Sequence, residues 1–205
     1  MSIFTKVCAG LLISTLSVAA QAAQPGTEGQ NPVQEPGDIT VEVSNPTEVI
    51  QVLHVGVEAE MKIIDLVKER NPDADLQRFV DQISQEVSEF DQRLEELAAS
   101  MSVDLAPAQL TENAKLVETQ MSQELQALVK KQDQEFRAGV IEVLIRKYEN
   151  ALELYTQVTE KSTDEGLKTA VSQIRPITQK HLNDIKQLQQ GTQPSEPMQP
   201  AQPAE

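Results

Sequence analysis

Aromatic side chains make up only 3% of the chain, and none of them is Trp. Few flat side chains are therefore left for stacking bases or sugars, and any core has to be aliphatic. Basic residues are also scarce: 17 Lys and Arg stand against 32 Asp and Glu, for a net charge of −15. A polyanion is bound by clustered Lys and Arg, so this balance excludes nucleic acid and anionic membrane surfaces as expected partners. There is one Cys and there are two His. A lone thiol makes no disulfide framework within the chain and no Cys-rich metal site. No serine-nucleophile motif, HExxH, phosphate loop or glycine-rich nucleotide fingerprint occurs, so the sequence offers no visible catalytic machinery.

Apolar residues are otherwise ordinary, at 39% of 205 residues, enough for one domain with a real core. One uncharged apolar run stands apart. It extends from Val7 to Ala19 behind Lys6 and is followed by the small-x-small triplet Ala20-Gln21-Ala22. This is the pattern of a secretory signal peptide over residues 1–22, and the run is too short for a retained anchor. Cys8 lies before most of the run instead of at its end, which argues against a lipoprotein signal. Cleavage after Ala22 removes the thiol and leaves a periplasmic mature chain with no membrane span. Residues 23–44 hold three Pro, three Gly, four acids and no basic residue, and they read as a disordered acidic linker. Residues 191–205, rich in Pro and Gln, read as a disordered tail.

Between these ends, residues 45–190 carry helical periodicity. The clearest stretch is Asn71 to Met101, where Leu76, Phe79, Ile83, Val87, Phe90, Leu94, Leu97 and Met101 recur in steps of three and four. That spacing puts them on one stripe of a helix, with Asn71 as cap and Pro72 at the first helical position. A similar start at Asn45-Pro46-Thr47-Glu48 predicts a capping box and a preceding helix ending near Arg70. Its stripe, Ile50, Leu53, Val57, Ile64 and Val67, passes through Glu60. A third helix is expected from about Thr111 with Ala114, Val117, Met121, Leu125 and Leu128 inward. A fourth carries Phe136, Val140, Leu144, Tyr148, Ala151, Tyr155 and Val158. The boundary between these two is open, because Lys130 to Glu135 lacks Gly and Pro; Asp133 is a candidate cap. Ser162 to Glu165 predicts a capping box for a fifth helix with Leu167, Val171, Ile174, Ile185 and Leu188 inward and Pro176 in its interior, where a kink is expected. Four long helices and a shorter one, joined by brief turns, predict an all-α fold: an antiparallel four-helix bundle with an additional shorter helix and disordered termini. An extended coiled coil is interrupted by Pro107, Pro176 and the repeated caps.

Candidate chemistry falls on a few polar residues at or beside the stripes. His54 with Glu58, and His181 with Asp184, lie at helical neighbour spacing and can each offer two metal ligands. Neither His has a Glu three residues before it, so the paired Glu-x-x-His signature of di-metal bundles is missing. Glu60, Glu86, Tyr148 and His181 form the other candidate set. It reads either as a hydrogen-bonded layer that fixes helix register or as a remnant ligand site.

The ordered blocks around Gly56 and Glu60, FVDQISQEVSEFDQRLEELAASMSV, FRAGVIEVLIRKYENALELY and IRPITQKHLNDI resemble a bacterial family of exported proteins of unknown function, often labelled outer membrane proteins, over about residues 47–189. The resemblance implies a ferritin-like bundle and an outer-membrane association as the alternative to a free periplasmic protein. Glu60 matches the family's Glu, Glu86 replaces its usual Asp, and Pro176 and His181 match its Pro and His. Val87 and Tyr148 stand where the family carries His. The resemblance thus implies iron or another divalent metal at Glu60, Glu86 and His181, in a set depleted of two histidines. The expectation drawn from the residues themselves is a non-enzymatic protein without cofactor that binds another envelope macromolecule or serves in envelope stress.

Overall fold

A computed structural model describes residues 41–70 and 73–191. The expected signal peptide, most of the linker, the tail beyond Gly191, and the cap at Asn71-Pro72 lie outside the described residues. Among these residues there are five α-helices, one short 3-10 turn and no strand: α1 (Pro46–Arg70), α2 (Ala74–Ser100), the turn Pro107–Gln109, α3 (Glu112–Lys130), α4 (Asp133–Lys161) and α5 (Glu165–Gln189). No described helix is long and apolar enough to cross a membrane.

The stripes read from spacing are the buried faces. On α2, Leu76, Phe79, Ile83, Val87, Phe90 and Leu94 are buried, with Leu97 and Met101 packed at the edge. On α1, Ile50, Leu53, Val57, Ile64 and Val67 are buried, and so is Glu60. Together with the stripes of α4 and α5 they form one continuous core. Each large aliphatic side chain in it contributes roughly 1.5–3 kcal/mol by leaving water. α1 packs mainly on α2 and α3, α4 on α5, and α2 on α5. A second, smaller cluster of Val52, Val55, Leu110 and Ala114 fastens α3 to α1. The chain just before α1 belongs to the folded unit, because Val43 is buried in the main core and Val41 packs against it.

Helix ends follow hydrogen-bonding side chains more than the expected capping boxes. Asn45 Oδ1 accepts the N–H of Glu48, as a cap should. The Glu48 carboxylate does not turn back to Asn45, however; it accepts from the Glu42 N–H at 2.8 Å and Asn113 Nδ2 at 2.7 Å. α2 begins after Asp73, whose side chain accepts from the N–H groups of Asp75 and Leu76. α5 is capped by Asp164, which accepts from the Leu167 N–H at 2.7 Å, and the helix runs unbroken through Pro176. α2 ends in a turn where Ser102 takes a φ of 57° and the Val103 N–H returns to the Ala98 carbonyl.

The open boundary between the third and fourth helices resolves into two residues, Lys131 and Gln132. Asp133 is the first residue of α4, not its cap. What ends α3 comes from elsewhere in the chain. The Arg70 guanidinium donates to the Lys131 carbonyl at 2.7 Å and the Val129 carbonyl at 2.5 Å, and lies 4.6 Å over the Phe136 ring. It supplies donors to carbonyls that a helix end leaves without partners. Gly139 lets α4 come close here, since a Cβ would meet Leu128 Cδ2 and Lys131 Cδ at 3.0 Å.

Candidate functional site

Periodicity alone places the polar residues of the core. Glu60 falls three residues after Val57 and four before Ile64, so α1 cannot bury its stripe without burying this carboxylate. Lys147 falls three after Leu144 and four before Ala151 on α4, and Thr178 four after Ile174 on α5. Glu86 adjoins the buried Val87 at the edge of α2. The helices bring these groups to one level of the bundle, around a small cavity of about 30 Å³ lined by Glu60, Glu86, Lys147, Tyr148, Tyr155, Thr178 and His181 together with apolar side chains. That is room for a water molecule.

The Glu60 carboxylate is engaged at both oxygens. Tyr148 Oη donates to Oε1 at 2.6 Å, and the Lys147 ammonium is ion-paired to Oε2. Both charges are largely withdrawn from solvent, the side chains being 5% and 12% exposed. Such a pair stabilises only through good geometry, because each ion has lost its hydration. Burial, with the neighbouring Glu60 charge, pushes the Tyr148 phenol well above its ordinary value. It therefore stays a donor. Burial likewise pushes the Tyr155 phenol up, against a hydrogen bond with Thr178.

On the other side of the cavity, His181 Nε2 and Glu86 Oε2 are 2.5 Å apart. An ionised carboxylate can only accept, so the imidazole N–H is the donor. This bond, opposed by partial burial, holds the Glu86 carboxyl below its usual range near 4.5. The imidazole is wedged between aromatic rings: Phe79 meets it edge-on with centroids 6.5 Å apart, and Tyr148 lies tilted at 5.6 Å. Asp184, expected beside His181 as a second ligand, turns to Lys180 at 2.8 Å. Its other oxygen is buried without a hydrogen-bond partner among the described residues.

Glu60, Glu86 and His181 thus share a cavity, but they are divided into two pairs. Among the described residues no three His, Cys, Asp or Glu side chains stand together as one ion requires. A divalent metal asks for free lone pairs converging on one point. Here both Glu60 oxygens and His181 Nε2 are already bonded, and an ammonium ion sits on the carboxylate. As they stand, these residues are paired with protein groups and do not converge on one ion.

His54 keeps its helical neighbour Glu58, with Nε2 3.7 Å from Oε1, but its close partner is Asp91 of α2, 2.9 Å from Nδ1. Lys147, Asp91 and Thr178 are the residues that sequence reasoning passed over. Each sits at stripe spacing, Asp91 being four after Val87 and three before Leu94, so a reading that tracked position regardless of polarity would have found them.

A second feature lies on another side of the molecule. Between α1 and α3 runs an open groove of about 530 Å³. Val55, Ala59, Met121 and Leu125 contribute its apolar part, and Glu58, Lys62, Glu118 and Gln126 its polar part.

No curated protein and no solved structure matches this chain. One family model does match, over residues 34–188, a span that takes in all five helices but for the last residue of α5. The chain belongs to the family described as a domain of unknown function, DUF4142.

Proposed function

We propose that the protein is an exported, non-enzymatic helical-bundle protein of the cell envelope that acts by binding another envelope macromolecule along the α1–α3 groove. The observation that carries this reading is the groove itself, where the half-buried Met121 and Leu125 of α3 lie beside the buried Val55 and Ala59 of α1 within a polar border. An apolar centre within a polar rim is the anatomy of a binding interface, and a groove of this form suits an amphipathic segment of a partner protein. Export is supported by the charge-free run Val7 to Ala19 and the small-x-small triplet after it. A role in envelope stress is one use for such binding.

In this reading α1, α2, α4 and α5 make an antiparallel four-helix bundle of ferritin-like form, with α3 laid outside it. The end-to-end pairings support that arrangement: His54 early in α1 meets Asp91 late in α2, and Arg137 early in α4 donates to the Leu188 carbonyl late in α5. A photo-crosslinking side chain at Gln126 tests the function. Cells should yield one defined crosslinked partner in the periplasmic or outer-membrane fraction, lost on Met121→Glu and absent when the probe is moved to Glu160 on the exposed side of α4. Crosslinking that ignores Met121→Glu, or is equal from Glu160, overturns the reading.

A further inference from the structure

The charged layer answers a question the groove does not touch: what compensates a carboxylate that helix periodicity forces into the core. A buried carboxylate needs a positive charge or a proton. In many helical bundles a metal ion supplies that charge. Here α4 supplies it. Lys147 reaches Glu60 from within the apolar stripe of its own helix, its stem buried and its ammonium at one carboxylate oxygen, while Tyr148 holds the other. The ammonium also lies 5.5 Å from the Tyr148 ring centroid, close enough for an attraction between cation and π-face. The surroundings thus recognise a primary ammonium two ways: by a carboxylate and by an aromatic face. His181, the group that would ligate a metal, is instead bonded to Glu86.

We propose that Glu60 and Tyr148 form a cation site whose occupant is covalently tethered, the Lys147 ammonium, and that this site takes primary ammonium ions and not divalent metals. With the tether in place the layer is self-sufficient. With the tether cut, the space left by the mostly buried lysine side chain accepts a free alkylammonium of matching length. Divalent ions remain poor substitutes, because Glu60 offers them one carboxylate and a phenol that keeps its proton.

Thermal unfolding of the full chain tests this, in Lys147→Ala, Lys147→Met, Glu60→Gln and the double variant Lys147→Ala with Glu60→Gln. Removing one partner of a buried pair should lower the midpoint of Lys147→Ala by roughly 10 °C. Propylammonium chloride should then raise it in a concentration-dependent way, as any ligand of the native state does. 1-Propanol and sodium chloride should not, and the double variant should not respond. Wild-type protein should keep its midpoint in zinc, in manganese and in chelator. Rescue by propanol as effective as by propylammonium, or rescue that survives Glu60→Gln, overturns the proposal. So does a Glu60-dependent stabilisation of wild type by either metal. If Lys147→Ala does not fold, Lys147→Met keeps the stem volume without the charge. It should be destabilised and should regain stability when Glu60→Gln is added; a midpoint equal to wild type, or no regain, overturns the proposal.

Discussion

The charged layer and the α3 face are made from the same kind of sequence, an amphipathic helix with polar residues at or beside its stripe, and they come to opposite ends. In the layer, Glu60, Lys147, Tyr148 and His181 are enclosed by helices, Glu86 stands at their edge, and all five find partners there. On α3 the helix is covered from one side. Of its five stripe residues only Ala114 and Leu128 are fully buried, Val117, Met121 and Leu125 are half-buried, and Leu116 and Val129 are exposed. The difference teaches that a stripe specifies which face turns inward, while the number of neighbours decides whether that face becomes core or surface.

Truncations on the two sides should separate them most. Leu144→Ala, at a fully buried position, should cost about 2–5 kcal/mol, whereas Leu125→Ala on α3 should cost about 1 kcal/mol; urea unfolding midpoints at constant slope measure both. Equal losses would mean that α3 is as much core as the other helices. Arg70→Ala sharpens the comparison from the α3 end. Leaving the Lys131 and Val129 carbonyls without their guanidinium should cost about 1–2 kcal/mol, with faster amide exchange confined to the last turn of α3. Ser102→Gly acts outside both regions. Its φ of 57° suits glycine, so the substitution should add about 0.5–1 kcal/mol, and a loss would show that the Ser side chain supports the turn.

The smallest effect concerns acid. The Glu86 carboxyl is lowered in the folded state by its bond to His181, so the unfolded chain takes up that proton first as pH falls. The stabilisation is present above the ordinary carboxylate value near 4.5 and is lost as pH drops through the lower folded value. The Glu86 side chain is 38% exposed, so solvent screens the contribution. Glu86→Gln should flatten the acid limb of the stability curve over that window by slightly lowering the neutral plateau, with little change below it.

Much of this architecture was legible in the chain. Five helices and their inward faces follow from spacing, because a helix repeats every 3.6 residues whatever it packs against. Local chemistry was less legible. Asp73 caps α2, a role that spacing did not assign to it, and Glu48 prefers distant partners in Glu42 and Asn113 to its own helix start. The α3–α4 junction carried no local signal because Arg70 caps it from another helix. In the site, Glu60, Glu86, Tyr148 and His181 were found from their places at the stripes, and all four line one cavity. Lys147 was not, because the stripe of the fourth helix is traced through its apolar and aromatic residues alone. Which charge meets which is a property of the assembled helices and has no counterpart in any short window of residues.

Arg70's grip on the α3–α4 junction has a kinetic corollary. Its two acceptors lie 59 and 61 residues away along the chain, while α4 and α5 are separated only by a short turn. Zipping of α4 onto α5 closes a short loop and needs nothing from the first helix. The elbow before α4 can lock only after a much larger segment has been gathered in, at the higher chain entropy that long loops carry. Refolding should therefore show the carboxy-terminal hairpin protected first and the elbow sealed last, when the end of α1 arrives.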